Sequence, residues 1–255
     1  MECTSTTTTA FITFLLCIFV FFLSLNSTAV EDIIRANETV RDGSVIVSSG
    51  GHISSSVLLV LALPQTDING NLVILNSSNY VVWSSNSSTS VNNPVVHLLD
   101  TGNLVIRDEN DKDTENYLWQ SFHKPGNTFL PGCKLGWNLE TGLERYLSSW
   151  KSEDDPSLGE YTNRIDRNGY PQLLMRKGSA IHSRAGGPWN GVRFSGTPNF
   201  KANPIYRFYF VSNNKELNYY YELLDDSVST RIVLSPLGSV QRLMETKDFT
   251  VYFSC

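Results

Sequence analysis

Apolar and polar residues in this chain form short runs that repeat one another. Asn-Leu-Val-Ile-Leu at 71–75 returns as Asn-Leu-Val-Ile-Arg at 103–107, and each copy is followed by a second short run that ends in Trp83 or Trp119. Short runs of Val, Ile, Leu and Trp between Asn, Ser and Gly are typical of β-hairpins. Residues 71–122 therefore predict two repeated hairpins that stack on each other. An ordinary β-meander with two chance Asn-Leu-Val starts is the alternative.

The second half of the chain also has the sequence pattern of β-strands, and no long stretch has the periodicity of a helix. Apolar and aromatic runs at 205–211 and 218–223 flank a polar turn, and runs at 230–234 and 240–244 flank a Ser-Pro-Leu-Gly turn. This pattern predicts a meander. Its aromatic residues are expected to pack in the core and across strands rather than to form a ligand platform. Asn190-Gly191 predicts a tight turn with positive φ.

The chain begins with a segment that we do not count as part of the fold. Residues 10–25 are almost wholly apolar, and Ser27 and Ala29 supply small residues before a cleavage point. This run is short for a membrane span, so residues 1–29 are interpreted as a secretory signal peptide. Its leading part has no Lys or Arg, which keeps an uncleaved anchor as the alternative. The longest later apolar run, 57–63, is far below spanning length, so no membrane span is expected after cleavage.

Composition and net charge exclude only a few classes of function. The 255 residues, 41% hydrophobic and 18% charged, suit one large or two small globular domains. A net charge of −5 offers no basic face for nucleic acid, so no nucleic-acid partner is expected.

Several motifs in series resemble one protein family. Residues 98–108, followed by Leu-Trp-Gln-Ser-Phe at 118–122, resemble the bulb-type (monocot mannose-binding) lectin domain of plant S-domain receptor-like kinases. Further motifs resemble the S-locus glycoprotein region that follows the lectin; they lie at 128–132, 134–139, 147–157, 187–191 and 194–196. The resemblance implies an all-β chain: a partial bulb-type lectin β-prism over 30–110, then a partial S-locus glycoprotein domain over 111–255. The EGF, PAN, transmembrane and kinase regions of the family are not seen.

The resemblance is interrupted after residue 51. The family continues there with three strands that this chain lacks, and residues 52–63 stand in their place. We therefore expect a deletion or a mis-spliced junction that removes most of one lectin face and part of a second. A divergent but sound strand at 57–63 is the alternative.

The family's mannose site is a strand of the form Gln-x-Asp-x-Asn-x-Val-x-Tyr, whose period of two puts all five side chains on one face. The matching positions here are Asp67, Asn69, Asn71, Val73 and Leu75, so Gln has become Asp and Tyr has become Leu. The resemblance thus implies a degraded carbohydrate site, since the second change removes a hydroxyl. In the other repeat only Asn103 and Val105 are kept, which indicates a structural relic. Asp and Asn before a strand are also ordinary turn formers.

In a secreted chain, cysteines can form disulfides and Asn-x-Ser/Thr motifs can be glycosylated. Only Cys133 and Cys255 remain after signal cleavage, and a disulfide between them or a free thiol are both open. Asn-x-Ser/Thr motifs predict N-glycosylation at Asn37, Asn76 and Asn86.

No residue pattern points to catalysis, to a cofactor or to a metal. The four histidines have no metal-ligand spacing, no nucleophile elbow or phosphate loop occurs, and the kinase motifs of the resembled receptors are missing. The acidic run 108–115 lacks the ligand spacing of a calcium loop and is interpreted as a solvated linker.

The chain is thus expected to be no enzyme but a recognition module, secreted to the apoplast or held at the plasma membrane as part of a full-length receptor. The resemblance implies a mannose-type glycan or an extracellular protein or peptide as its ligand, with a receptor kinase of the same family as a further partner. The processes implied are self-incompatibility (recognition of pollen), defence or development. The alternatives are a non-functional truncated fragment and, more remotely, a secreted glycosidase with a carboxylate pair such as Asp154 and Glu160.

Overall fold

The computed structural model describes residues 29–30, 32–35, 45–46, 64–66, 71–75, 78–87, 91–183, 187–191, 193–195, 204–245 and 250–254. The chain divides into two compact units, the first ending at Ser121 and the second beginning at Phe122. The described residues form strands and one short 3-10 helix, Ser121–His123, and they contain no α-helix. The predicted all-β class is confirmed.

The first unit contains nine described strands. They are β1 (Ala29–Val30), β2 (Ile33–Arg35), β3 (Val45–Ile46), β4 (Pro64–Thr66), β5 (Leu72–Leu75), β6 (Val81–Ser84), β7 (Pro94–Leu98), β8 (Leu104–Asp108) and β9 (Trp119–Gln120). β1 pairs with β3, and the other strands form two sheets with the orders β4-β5-β6 and β2-β7-β8-β9. On β8, Leu104, Val105 and Ile106 are all buried, which explains why the run is continuously apolar rather than alternating.

The two predicted hairpins have the same register. β5 pairs with β6 so that Ile74 lies opposite Trp83, and β8 pairs with β9 so that Ile106 lies opposite Trp119. The two tryptophan rings meet edge to face with centroids 5.9 Å apart. The internal repeat is therefore confirmed in the strand pairing as well as in the sequence.

The second unit contains twelve described strands. They are β10 (Thr128–Phe129), β11 (Leu135–Asn138), β12 (Glu144–Arg145), β13 (Leu147–Ser152), β14 (Asp155–Asp166), β15 (Gln172–Lys177), β16 (Ala180–Ser183), β17 (Tyr206–Ser212), β18 (Glu216–Leu223), β19 (Ser229–Leu234), β20 (Val240–Glu245) and β21 (Thr250–Ser254). They form three four-stranded sheets with the orders β13-β14-β15-β16, β12-β11-β18-β17 and β10-β19-β20-β21.

The local predictions for this unit are confirmed. β17 and β18 form one hairpin, with Tyr209 opposite Tyr220, and β19 and β20 form the next. Gly191 has φ 98° in the predicted tight turn, where the backbone N–H of Asn190 donates to the carbonyl oxygen of Arg193 at 3.0 Å. Only a glycine adopts this backbone conformation readily.

Aromatic side chains build much of the core of the second unit. The rings of Phe208 and Tyr219 stack with centroids 5.0 Å apart. Tyr221 is fully buried, and its hydroxyl lies 3.1 Å from the carbonyl oxygens of both Phe129 and Thr230. Arg242 is also buried, with its guanidinium carbon 3.8 Å from the ring centroid of Tyr206. The outcome agrees with the expectation that these aromatics serve the core.

Other expectations concern residues that the structure does not describe. The signal segment through residue 28, the run 57–63 and Cys255 lie outside the described residues. Cys133 is buried, with its Sγ 3.9 Å from the carbonyl oxygen of Phe122. A disulfide with Cys255 and a free thiol both stay as alternatives, and the domain bounds stay a prediction. Among the described residues, no helix is long and apolar enough to cross a membrane.

Candidate functional site

The strand that resembles the family's mannose site is only partly described. Asp67 and Asn69 lie outside the described residues, and Leu75 is described only as the last residue of β5. Asn71 and Val73 are buried, with 8% and 4% of their surface exposed. Both of the described side chains of this register therefore contact protein rather than solvent.

The amide oxygen of Asn71 is used inside the fold. Its Oδ1 accepts hydrogen bonds from Ser85 Oγ at 3.2 Å and from the backbone N–H of Ser87 at 2.6 Å. Ser85 Oγ in turn accepts from the backbone N–H of Leu72 at 3.1 Å. These contacts fasten the chain after β6 to the start of β5, and we call Asn71 with Ser85 the first Asn–Ser clamp.

The second hairpin has the same arrangement. Asn103 Oδ1 accepts from Ser121 Oγ at 3.2 Å, and Ser121 Oγ accepts from the backbone N–H of Leu104 at 2.9 Å. Asn103 Nδ2 also donates to Gln120 Oε1 at 3.1 Å. Asn103 with Ser121 is therefore a second Asn–Ser clamp, at the equivalent place in the repeat.

The clamps give the repeated asparagine a structural role. An amide oxygen has two lone pairs, and Asn71 Oδ1 already has two donors. A sugar hydroxyl would have to displace one of them, at the expense of a buried hydrogen bond. Sugar binding at Asp67, Asn69, Asn71, Val73 and Leu75 stays a prediction, and the contacts of Asn71 favour the structural role.

Two family models match separate parts of the chain. Residues 55–151 match the family model of the D-mannose binding lectin domain, and residues 184–254 match that of the S-locus glycoprotein domain. The chain is a homologue of the plant S-locus glycoproteins and G-type lectin receptor kinases. The resemblance read from the motifs is confirmed.

Three relatives illustrate the match. The S-locus-specific glycoprotein S6 of Brassica oleracea is 41% identical over 185 residues, which cover 71% of this chain and 42% of that protein. The receptor-like serine/threonine-protein kinase SD1-8 of Arabidopsis thaliana is 39% identical over 174 residues, or 68% of this chain and 20% of the kinase. The G-type lectin S-receptor-like kinase RKS1 of Arabidopsis thaliana is 34% identical over an alignment of 262 positions, which covers 88% of this chain and 31% of the kinase. The chain thus spans less than half the length of each.

Among solved structures, the Japanese Marasmius oreades lectin covers 38% of this chain at 14% identity, and the match covers 95% of that lectin. Its TM-score of 0.31 is too low to support an argument.

One predicted glycosylation site lies in the described part of this S-domain homologue. Asn86 is exposed, has φ 52°, and its backbone N–H donates to Ser84 Oγ at 3.2 Å. An exposed side chain on a turn is accessible to a glycosyltransferase, so the geometry suits modification. Asn37 and Asn76 lie outside the described residues, and glycosylation at all three positions stays a prediction.

The acidic run 108–115 uses its carboxylates to close turns. Asp108, Asp111 and Asp113 each accept, through Oδ1, from the backbone N–H two residues later, at 2.9–3.0 Å. Asp111 Oδ2 also accepts from Asn116 Nδ2 at 2.8 Å. These hydrogen bonds lower the pKa of Asp111 below its usual value. The run is thus a set of successive Asx turns.

Proposed function

We propose that this chain is an extracellular recognition module whose contacts are with a protein or peptide ligand rather than with mannose. In the hairpin whose strand best matches the family's mannose site, Asn71 Oδ1 accepts hydrogen bonds from Ser85 and Ser87. This observation carries the proposal, because the amide oxygen is already used inside the fold. The replacement of Tyr by Leu75 supports it, because Leu75 offers no hydroxyl to a sugar.

The proposed location is the apoplast, or the plasma membrane where the chain forms part of a longer receptor. The apolar leader and the exposed Asn86 motif support passage through the secretory pathway. The matched relatives are S-locus-specific glycoproteins and receptor kinases, so recognition of pollen, defence and development are the proposed processes. A receptor kinase of the same family is the proposed partner.

The lengths of two alignments support the proposal that this chain lacks residues that its relatives have. The match to RKS1 runs over 262 positions but contains only 88% of the 255 residues of this chain. Several tens of positions therefore have no residue of this chain opposite them. The match to S6, over 185 positions and 71% of the chain, has almost no such gap. A truncated product without function is the alternative that this length difference favours.

We further propose that the chain catalyses no reaction. The match to SD1-8 covers only 20% of that kinase, and the family models matched are those of the lectin and S-locus glycoprotein domains. The glycosidase alternative has little support, since a general acid needs a sheltered carboxyl group. The Glu160 side chain is 73% exposed and pairs with Lys177 Nζ at 3.4 Å.

Two binding measurements on the secreted chain test the proposed function. The first passes the chain over a mannose column. The second measures binding to purified S-domain receptor ectodomains, SD1-8 among them, by surface plasmon resonance. We expect no mannose retention, and saturable binding to at least one ectodomain that free mannose does not reduce. Column retention that free mannose releases would refute the proposal, and binding to neither surface would favour the truncated product.

A further inference from the structure

An arginine cluster lies in the second unit where β11 and β12 meet β14 and β15. We define it as six residues: Trp137, Glu144, Tyr146, Arg164, Arg167 and Arg176. Trp137 lies opposite Glu144 in the β11–β12 pair. Trp137 Nε1 donates to the carbonyl oxygen of Ile165 on β14 at 3.1 Å. The cluster is therefore built on paired strands and held in place by a side chain that bridges two sheets.

Two of the arginines are held by aromatic rings. The guanidinium carbon of Arg164 lies 4.0 Å from the ring centroid of Tyr146, and that of Arg167 lies 4.4 Å from the ring of Trp137. A guanidinium that lies over the face of a ring still has N–H groups that point away from the ring toward other acceptors. Both side chains are thus oriented before any ligand arrives.

The third arginine, Arg176, lies on the same face of the β14–β15 pair as Arg164. β14 and β15 pair Arg164 with Leu174 and Thr162 with Arg176, which makes Arg164 and Arg176 diagonal neighbours. Diagonal neighbours on one face are within reach of long side chains. One acceptor group can therefore contact both guanidinium groups.

The cluster carries more positive than negative charge. Arg164 Nη1 lies 3.3 Å from Glu144 Oε2, the one carboxylate of the cluster. In the part of the chain that the structure describes, neither Arg167 nor Arg176 has an ion pair with a carboxylate. Burial raises the pKa of Glu144, although the charges of Arg164, Arg176 and Arg167 oppose the rise. In a chain with a net charge of −5, this local excess of positive charge needs an explanation.

Several polar atoms of the cluster are also without hydrogen bonds. Arg164 Nε, Arg176 Nε and Glu144 Oε1 are buried and have no hydrogen-bond partner among the described residues. A buried polar atom without a partner is destabilising. The cluster therefore has two unused donors and one unused acceptor, which a ligand reaches only after the side chains around them shift.

We propose that the arginine cluster binds the carboxylate of a uronic-acid oligosaccharide. A guanidinium group matches a carboxylate with two parallel N–H···O bonds. A uronic acid carries hydroxyl groups beside its carboxylate, so it also offers a donor for Glu144 Oε1. The side chains of an acidic peptide lack that combination, and the hydroxyl group of inorganic phosphate lies on the anionic group itself rather than beside it. This site goes beyond the recognition function proposed above and rests on it only in placing the chain among extracellular polysaccharides.

Calorimetric titration of the secreted chain at low ionic strength tests the proposal. The probes are a galacturonic acid oligomer, a neutral mannose oligomer, inorganic phosphate and a glutamate peptide of the same charge as the galacturonate. We expect the galacturonate oligomer to bind, the mannose oligomer not to bind, and phosphate and the peptide to bind at least about tenfold more weakly.

Matched variants assign the binding to the cluster. The double variant R167Q/R176Q keeps the Arg164–Glu144 pair, and we expect it to weaken galacturonate binding by at least about tenfold. The control K151Q/K215Q removes the same charge at two well-exposed lysines outside the cluster, and its affinity should stay within about twofold of the wild type. If R167Q/R176Q unfolds at a clearly lower temperature than the wild type, galacturonate binding is compared for Arg167→Gln alone, because Arg167 is exposed.

Three results would overturn the proposal. They are no binding of the galacturonate oligomer by the wild type, equal binding by the wild type and the arginine variant, and phosphate or the glutamate peptide binding as tightly as galacturonate. None of these results changes the mannose-column or ectodomain measurements, so a failure here is separable from a failure of the proposed function.

Discussion

Trp83 and Trp119 occupy equivalent places in the two hairpins of the first unit, and their rings meet edge to face with centroids 5.9 Å apart. Each ring lies opposite an isoleucine of its own hairpin, Ile74 and Ile106. The contact therefore joins the two copies of the repeat through the same residue of each, and it explains why a tryptophan recurs at this place in the sequence.

The tryptophan contact should be measurable in stability. We expect Trp83→Ala and Trp119→Ala each to lower the free energy of unfolding by about 2–4 kcal/mol, since large side chains packed in the fold are lost. A double-mutant cycle should give a coupling energy of about 0.5–1.5 kcal/mol. Tyr80→Ala, at a ring that is 72% exposed, is the control. Urea unfolding of the wild type, the three tryptophan variants and the control measures these changes, and a coupling energy of zero would contradict the edge-to-face contact.

The Asn–Ser clamps predict parallel effects in the two copies. Asn71→Ala and Asn103→Ala should each lower the free energy of unfolding by about 1–3 kcal/mol, because each leaves buried donors without an acceptor. The exposed turn residue Asn92 supplies a control, Asn92→Ala, with an expected change of less than about 0.5 kcal/mol. If Asn71→Ala kept full stability but removed retention on a mannose column, Asn71 would be a sugar ligand and not a clamp.

The strands and the repeat could be predicted because their signals are local. A short apolar run, a preceding glycine and a following tryptophan all lie within one hairpin, and the hairpin fixes its own register. The clamps had a signal that was missed: Ser85 and Ser121 each stand two residues after the repeated tryptophan. An alignment of the two copies with each other would have found both serines.

Other features depend on contacts that no local pattern contains. The arginine cluster brings together β11, β12, β14 and β15, and the sequence did not reveal how these strands pair. Arg242 occupies an inward position between Val240 and Met244, where the alternation of its strand calls for an apolar residue. The rings of Tyr206, Phe208 and Tyr221 around its guanidinium, together with the hydrogen bond that Nη1 donates to Thr230 Oγ1 at 3.1 Å, explain how a buried charge is tolerated there.

Glycosylation is a separate prediction from exposure and sequence. We expect peptide mapping by mass spectrometry of the chain secreted from plant cells to find a glycan on Asn86, because its side chain is exposed on a turn. Asn86→Gln should remove that glycan and lower the mass accordingly, while Asn92→Gln, at an exposed asparagine without the motif, should not. An unmodified Asn86 in secreted material would contradict the prediction.

Two glycines of the second unit differ in what surrounds them. A Cβ on Gly136 would lie 2.0 Å from the carbonyl oxygen of Leu217, whereas a Cβ on Gly142 would meet nothing within 4 Å. Both have positive φ, 131° and 76°. Gly136→Ala should therefore lower the free energy of unfolding by at least about 3 kcal/mol, because β11 and β18 must separate. Gly142→Ala should cost only about 1 kcal/mol of backbone strain. Thermal melting compares the two, and equal losses would contradict the close approach of β11 to β18.

Alkaline pH should destabilise the second unit through Tyr221. Burial raises the pKa of this phenol well above its ordinary value, so the folded chain holds the proton more tightly than the unfolded chain does. The stabilisation is fully present below the ordinary tyrosine pKa of about 10, and it is lost as the pH rises above that value toward the folded pKa. Tyr221→Phe should remove part of this alkaline loss.

At neutral pH the same substitution should cost about 1–2 kcal/mol, since the contacts of the hydroxyl with the carbonyl oxygens of Phe129 and Thr230 are lost. Urea unfolding at several values between about pH 8 and pH 11 measures both effects on the free energy of unfolding. Tyr170→Phe, at a ring that is 83% exposed, is the control and should follow the wild type at every pH. If the wild type and Tyr221→Phe lost stability in parallel above the ordinary tyrosine pKa, the alkaline transition would arise elsewhere, and the buried hydroxyl would stabilise the fold only through its hydrogen bonds.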